Sequence, residues 1–260
     1  NWGNGSAFSL SNSTMPARAA LPFKSSANNM KLITFTGLDG SGKSTQLKLL
    51  NRYFVSKGCK CEFLHFPRTG APYFGELIAR FLRGEFGSLS EVDPYLVALL
   101  YAGDRKDASE MITNWLDDNR IVLLDRYTYS NIAYQCAKLE DTSARTRLMK
   151  WILSLEFTHF AIPRPGLNIF LDVPFSFTEG KLKPGRAGKD RSYLNGSGDI
   201  HEASLDFQRK VRDVYLEIAQ TENDLEVIDC CDHQGSMLSP AAVSSLIIQK
   251  ITERNIIHNG

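Results

Sequence analysis

No apolar run in this 260-residue chain approaches the roughly 18–20 residues that a bilayer span requires, so no membrane partner is expected. No sign of charge dominates either: 30 Lys and Arg stand against 29 Asp and Glu, a net charge of +1. That balance excludes a global pull toward nucleic acid or an acidic membrane surface, and leaves any anion chemistry to be local. Cysteine is scarce. The five present (Cys59, Cys61, Cys136, Cys230 and Cys231) form no Cys-x-x-Cys pair, and an odd number cannot all pair internally. Free thiols in a reducing, cytoplasmic compartment are expected, each acting as a small buried hydrophobe.

Acid is missing from the start of the chain, where no Asp or Glu precedes Asp39. Residues 1–29 are rich in Ser, Asn and Gly and carry Arg18 and Lys24. A Ser-rich, acid-free, basic leader resembles a transit peptide, which would direct import into an organelle. The alternative is an upstream extension, with the functional chain starting at Met30; Asn rather than Met at position 1 favours it. On either reading this segment is expected to be disordered and to carry no chemistry.

What is present begins at Met30. "KLITFTG" reads as a short buried strand, and "KSTQLKLLNRYFVSKG" has helical spacing with Gly58 as its stop. "CKCEFLHF" alternates as a strand. Residues 73–83 and 94–118 read as helices. "IVLLD" is a bare apolar run, hence a strand buried on both faces. Helices are expected over 128–138 and 144–156, a strand at "LNIFLDV", a polar loop over 180–199 and an amphipathic helix over 202–220. "LEVIDC" is a strand, and 240–254 closes as a helix. This alternation predicts one α/β domain over about 30–256, a five-stranded parallel sheet with helices on both faces.

Within that pattern "GLDGSGKST" (Gly37, Leu38, Asp39, Gly40, Ser41, Gly42, Lys43, Ser44, Thr45) stands between a strand and a helix. Gly-x4-Gly-Lys-Ser in that context is a P-loop. Its glycines let successive backbone N–H groups face an anion, and the helix N-terminus adds its positive end. Lys43 is expected to reach the outer phosphates of ATP and the Ser44 hydroxyl to reach Mg²⁺. "LLDRYTYSNIAYQ" then ends a buried strand with Asp125 and Arg126. Strand carboxyl ends face the ligand in a parallel sheet, so Asp125 is placed to orient the metal and Arg126 to hold a second phosphate. A guanine-reading Asn-Lys-x-Asp is absent, which argues against a GTPase. Arg68 follows another strand in "HFPRTG", and "LLYAGDR" sets Tyr101 one helical turn before Arg105. Three arginines and an aromatic suit a phosphorylated acceptor carrying a flat base.

Together the P-loop, "FPR" (Phe66–Arg68), "YAGDR" (Tyr101–Arg105) and "DRYTYSNIAYQ" resemble the thymidylate kinase family over roughly residues 30–254. The resemblance implies the P-loop NTPase fold and transfer of the ATP γ-phosphoryl group to dTMP, giving dTDP and ADP for dTTP synthesis. It implies that Asp39 meets the sugar 3′-hydroxyl and acceptor phosphate region, and that Arg68, beside Phe66, and Arg126 bind that phosphate. Tyr101 would stack on thymine and Arg105 would bond its edge. Asn131 would read the pyrimidine, and Tyr134 would close over the sugar. Members commonly pair as homodimers, and by analogy the helices over 94–118 and 133–156 would do so here.

Two positions depart from the family. Gly40 follows Asp39, so the P-loop lacks the arginine that some members place there. A lid over about 178–199 is then expected to supply it from residues 181–191, "KLKPGRAGKDR", through Arg186 or Arg191. His201–Glu202 stands where members often carry Tyr-Glu, a tyrosine that crowds the sugar 2′ position. The alternatives are another nucleoside or nucleotide kinase with a different acceptor, such as dUMP or a deoxynucleoside, and a catalytically weak ATP-binding regulatory protein.

Overall fold

The computed structural model describes residues 30–179 and 205–256. Five strands, β1 (Leu32–Thr36), β2 (Cys61–His65), β3 (Ile121–Asp125), β4 (Leu167–Asp172) and β5 (Leu225–Asp229), form one sheet in the order β2-β3-β1-β4-β5. Every pairing is parallel. β1 and β3 are buried along their whole length, as continuous apolar runs at the centre of a doubly covered sheet must be. β2 and β5 are only partly buried because they form the edges.

Eight helices join the strands among the described residues: α1 (Lys43–Ser56), α2 (Phe74–Leu82), α3 (Pro94–Asp117), α4 (Thr128–Cys136), α5 (Thr142–Leu153), α6 (Phe175–Glu179), α7 (Leu205–Thr221) and α8 (Pro240–Glu253). One face of the sheet presents Ile33, Phe35, Leu123 and Ile169 to Leu47, Leu50 and Phe54 of α1 and Ile247 and Ile251 of α8. The other face presents Leu32, Val122 and Leu124 to α3, and Phe170 to α4 and α7. The expected two-faced α/β layout is thus present.

Element ends follow from local chemistry. Asp93 caps α3 by accepting from Tyr95 N–H and Leu96 N–H, with Pro94 at the first helical position. Asp141 caps α5 in the same way, which moves its start to Thr142, ahead of the expected 144. The helix expected to run to 156 gives way after Leu153 to a π-helical turn, Ser154–His159. The short α6 had no counterpart in the sequence pattern. Of the cysteines, Cys136 and Cys230 are buried, whereas Cys59, Cys61 and Cys231 are only partly so, and all five are free. Burial pushes the Cys61 thiol up to about 11 and those of Cys136 and Cys230 up to about 12, so they stay protonated. No helix among the described residues is long and apolar enough to cross a membrane.

Candidate active site

Register brings the carboxyl ends of the three strands at the β2 side of the sheet level. Asp125 lies opposite Phe35 of β1 and His65 of β2. The P-loop leaves β1 at this edge. Gly42 enters α1 at φ 92, and the helix starts without a side-chain cap. Its first N–H groups are therefore claimed by no capping side chain, as an anion site requires. Lys43 is buried, and its Nζ donates to the carbonyls of Gly37 (3.2 Å) and Leu38 (2.9 Å). The lysine is thus folded back along the loop. Ser44 and Thr45 are exposed at the first turn.

Arg126 follows β3 in the left-handed region, φ 66. A side chain there costs about 1–2 kcal/mol, and such strain gathers at functional sites. The turn is pinned by Arg126 N–H donating to Phe35 O at 2.7 Å. It aims the guanidinium at the P-loop, where Nη2 donates to Asp39 Oδ1 at 2.7 Å and to the Tyr134 hydroxyl at 3.1 Å. Tyr134 in turn donates to Asp39 Oδ2 at 3.1 Å, and its ring lies 5.0 Å from the guanidinium carbon. Burial alone would raise the Asp39 carboxyl, but Arg126 and Lys43 outweigh it and hold it far below the usual range. Burial together with Asp39 pushes the Tyr134 phenol well up, so it keeps the proton it donates.

Asp125 is buried, with Oδ2 3.4 Å from His65 Nδ1. Burial would raise it too, yet His65, Lys43 and Arg126 lower it overall, so it is a carboxylate at neutral pH. Its Oδ1 is buried without a hydrogen-bond partner. An ionised oxygen in that condition fits a cation. No cluster of three or more metal-ligating side chains occurs among the described residues, and a lone carboxylate suits Mg²⁺ held mostly through water and phosphate oxygens.

The residues expected to face the base form a second group. Arg68 is fixed by Asp104: the Asp104 carboxylate accepts from Arg68 Nε at 2.8 Å and from its backbone N–H at 2.9 Å. Phe66, before a cis Phe66–Pro67 bond, is buried below it. Tyr101 is partly buried against Ile78, Phe81, Leu82 and Val97. Arg105 is 1% exposed, and its Nε and Nη2 each donate to Glu156 at 2.6 Å. Burial opposes that charge, but Glu156 more than offsets it and raises the guanidinium further. Asn131 Nδ2 donates to Ala98 O at 3.0 Å and to Glu156 Oε1 at 3.1 Å. α4 joins the two groups, since it carries both Asn131 and Tyr134 and is buried at every residue.

Glu156 is the residue that sequence reasoning missed. An acid in "LSLEFTHF" reads as the solvated end of a helix, yet it is wholly buried; the signal was an isolated acid inside an apolar stretch. His65, beside Asp125, and Gln135, whose buried Oε1 has no partner, were missed as well. Arg186, Arg191, His201 and nearly all of the expected lid lie outside the described residues.

Comparisons with known proteins agree on one family. The thymidylate kinase family model matches residues 35–234. A thymidylate kinase of Mycobacterium tuberculosis is 32% identical over 188 residues, covering 72% of this chain and 85% of its own. A probable thymidylate kinase of Pyrococcus horikoshii is 32% identical over 199 residues, covering 76% and 86%. The solved thymidylate kinase of Candida albicans superposes with a TM-score of 0.62 at 25% identity, covering 88% of this chain and 95% of that one. With the P-loop, the Asp39–Arg126–Tyr134 triangle and these matches in agreement, the chain belongs to the thymidylate kinase family.

Proposed function

We propose that the chain transfers the γ-phosphoryl group of ATP to dTMP, giving dTDP and ADP. The observation that carries this reading is the meeting of Asp39 and Lys43, from a triphosphate-binding loop, with Arg126 and Tyr134, from the start of the segment expected to hold the acceptor. A donor cradle and an acceptor cradle therefore share one carboxylate.

The acceptor phosphate is already anionic, so the reaction needs no strong base; positioning and charge neutralisation suffice. Lys43 leaves the Gly37 and Leu38 carbonyls for the outer phosphates of ATP. Arg126, held over Tyr134, and Arg68, held by Asp104, grip the dTMP phosphate from two sides. Asp39 keeps Arg126 in place and accepts from the sugar 3′-hydroxyl. Tyr101 stacks on thymine. Ser44 and Asp125 would hold Mg²⁺, which supplies charge neutralisation on the donor phosphates when bound. Gly40 leaves the P-loop without an arginine, so that charge is assigned to Arg186 or Arg191, and contact with the sugar to His201, all outside the described residues. Lid closure excludes water, the competing acceptor. Pairing of two copies would use α3, where Leu96 and Leu99 are exposed, and α5, where Trp151 is. The buried α4 offers no surface for it.

The test is ADP release from ATP–Mg²⁺ with dTMP, dUMP, UMP, CMP and thymidine in parallel. A strong preference for dTMP is expected. Turnover mainly with another acceptor, or ATP binding without transfer, overturns the reading.

A further inference from the structure

Glu156 lies on the π-helical turn Ser154–His159 and is wholly buried. Its Oε1 accepts from Arg105 Nη2 at 2.6 Å and from Asn131 Nδ2 at 3.1 Å. Its Oε2 accepts from Arg105 Nε at 2.6 Å and from the Thr128 hydroxyl at 2.8 Å. Four donors from three side chains thus converge on one carboxylate, whose oxygens are saturated and left no chemistry of their own. What it does is orient two other side chains.

The consequence is sharpest at Asn131. An asparagine amide can face either way, and only its partners decide which. Here both Nδ2 protons are committed, one to Ala98 O and one to Glu156. The Asn131 Oδ1 is left buried with no partner. A buried acceptor without a donor is costly, so the site is complementary to a ligand that brings an N–H. Thymine carries a hydrogen on N3; cytosine has a bare acceptor there. Arg105 is treated alike: Nε and Nη2 are used on Glu156, which leaves Nη1 outside the pair.

We infer that Glu156 is the positioning residue for base selection: by fixing the amide of Asn131 and the guanidinium of Arg105, it makes the site accept N3–H pyrimidines and reject cytosine. This rests on the dTMP reading above and adds to it the residue that enforces it.

The test uses the whole protein and compares kcat/KM for dTMP and dCMP in wild type, Glu156→Gln and Glu156→Asp, with KM for ATP measured alongside. A glutamine can itself donate to Asn131 Oδ1, which frees the amide to turn. The expected result for Glu156→Gln is a rise of about tenfold in KM for dTMP, a fall of at least tenfold in the dTMP-to-dCMP ratio and an unchanged KM for ATP. Glu156→Asp keeps the charge opposite Arg105 but draws back from Asn131, and should move the ratio the same way by less. A general loss of packing would lower all substrates together and leave the ratio alone. A folded Glu156→Gln enzyme with the wild-type ratio overturns the inference. If that variant does not fold, the ratio in Glu156→Asp decides, and failure of both to fold assigns Glu156 to the core alone and overturns the inference as well. Wild-type enzyme that does not prefer dTMP sinks the functional reading instead, so the two failures are distinct.

Discussion

Lys138 ends its side chain 4.9 Å from the centre of the Phe81 ring, and its buried Nζ has no hydrogen-bond partner. Loss of hydration outweighs the attraction of Asp93 and lowers the amine to about 8, from the usual lysine value. The native state therefore binds fewer protons than the unfolded chain between about pH 8 and the ordinary lysine range near 10.4. Stability should rise with pH across that window, and the gain is lost as pH falls through about 8. At neutral pH the buried ammonium is a liability. Lys138→Met should flatten the slope of stability between pH 8 and 10 and raise Tm at pH 7 by about 2–4 °C, equivalent to about 1 kcal/mol in a domain of this size. Thermal melts across pH 6–10.5 check it, and an unchanged slope in the variant refutes it. Asp39 shows the opposite case. There the cost of desolvation is overcome because Arg126 and Lys43 face the carboxylate directly. Partner geometry, more than burial, decides which buried charge is a burden.

Two glycines set how α2 and α3 hold the proposed base side. A Cβ on Gly75 would overlap the backbone oxygen of Arg68, and one on Gly103 would overlap the ring of Phe74. The second neighbour is a side chain; the first is main chain and cannot turn aside. Gly75→Ala should therefore displace the Arg68 loop even though alanine is the better helix former. Its KM for dTMP should rise about tenfold with KM for ATP nearly unchanged, measured by steady-state ADP release; equal changes in both would show a global defect instead. This close approach was not legible in the sequence, because a glycine in "YFGELIARF" gives no hint of what lies above it. The strands were legible, since "LITFT" and "IVLLD" are mostly apolar and buried at every residue, as strands at the centre of a doubly covered parallel sheet are. So were the P-loop and Asp125–Arg126, whose spacing to strand ends is local. Glu156 was not: its burial depends on a π-helical turn and on donors contributed by α3 and α4. The sequence pattern carried what neighbours in the chain decide. It missed what elements far apart in the chain decide together.

The two halves of the proposed site are built on different parts of the molecule, which makes them separable. The triphosphate side rests on β1 and α1, with Lys43 folded onto the Gly37 and Leu38 carbonyls. The monophosphate side rests on α3, α4 and the turn after β3. The Asp39–Arg126–Tyr134 triangle ties side chains of the two together. A ligand that binds the native state at a hundred times its Kd stabilises it by about 2.7 kcal/mol. In a domain of this size that is a rise in Tm of roughly 5–10 °C. ATP–Mg²⁺ alone and dTMP alone should each produce such a shift. Lys43→Ala should lose most of the ATP shift, keep that of dTMP and turn over at least a hundredfold more slowly. Arg126→Ala should weaken the dTMP shift most, because it removes the phosphate grip and frees Tyr134 and Asp39 from their shared partner. An active Lys43→Ala enzyme with a full ATP shift would remove the P-loop from the mechanism. If Lys43→Ala instead abolishes both shifts, the triangle transmits the loop's geometry into the acceptor side, and donor and acceptor binding form one coupled unit.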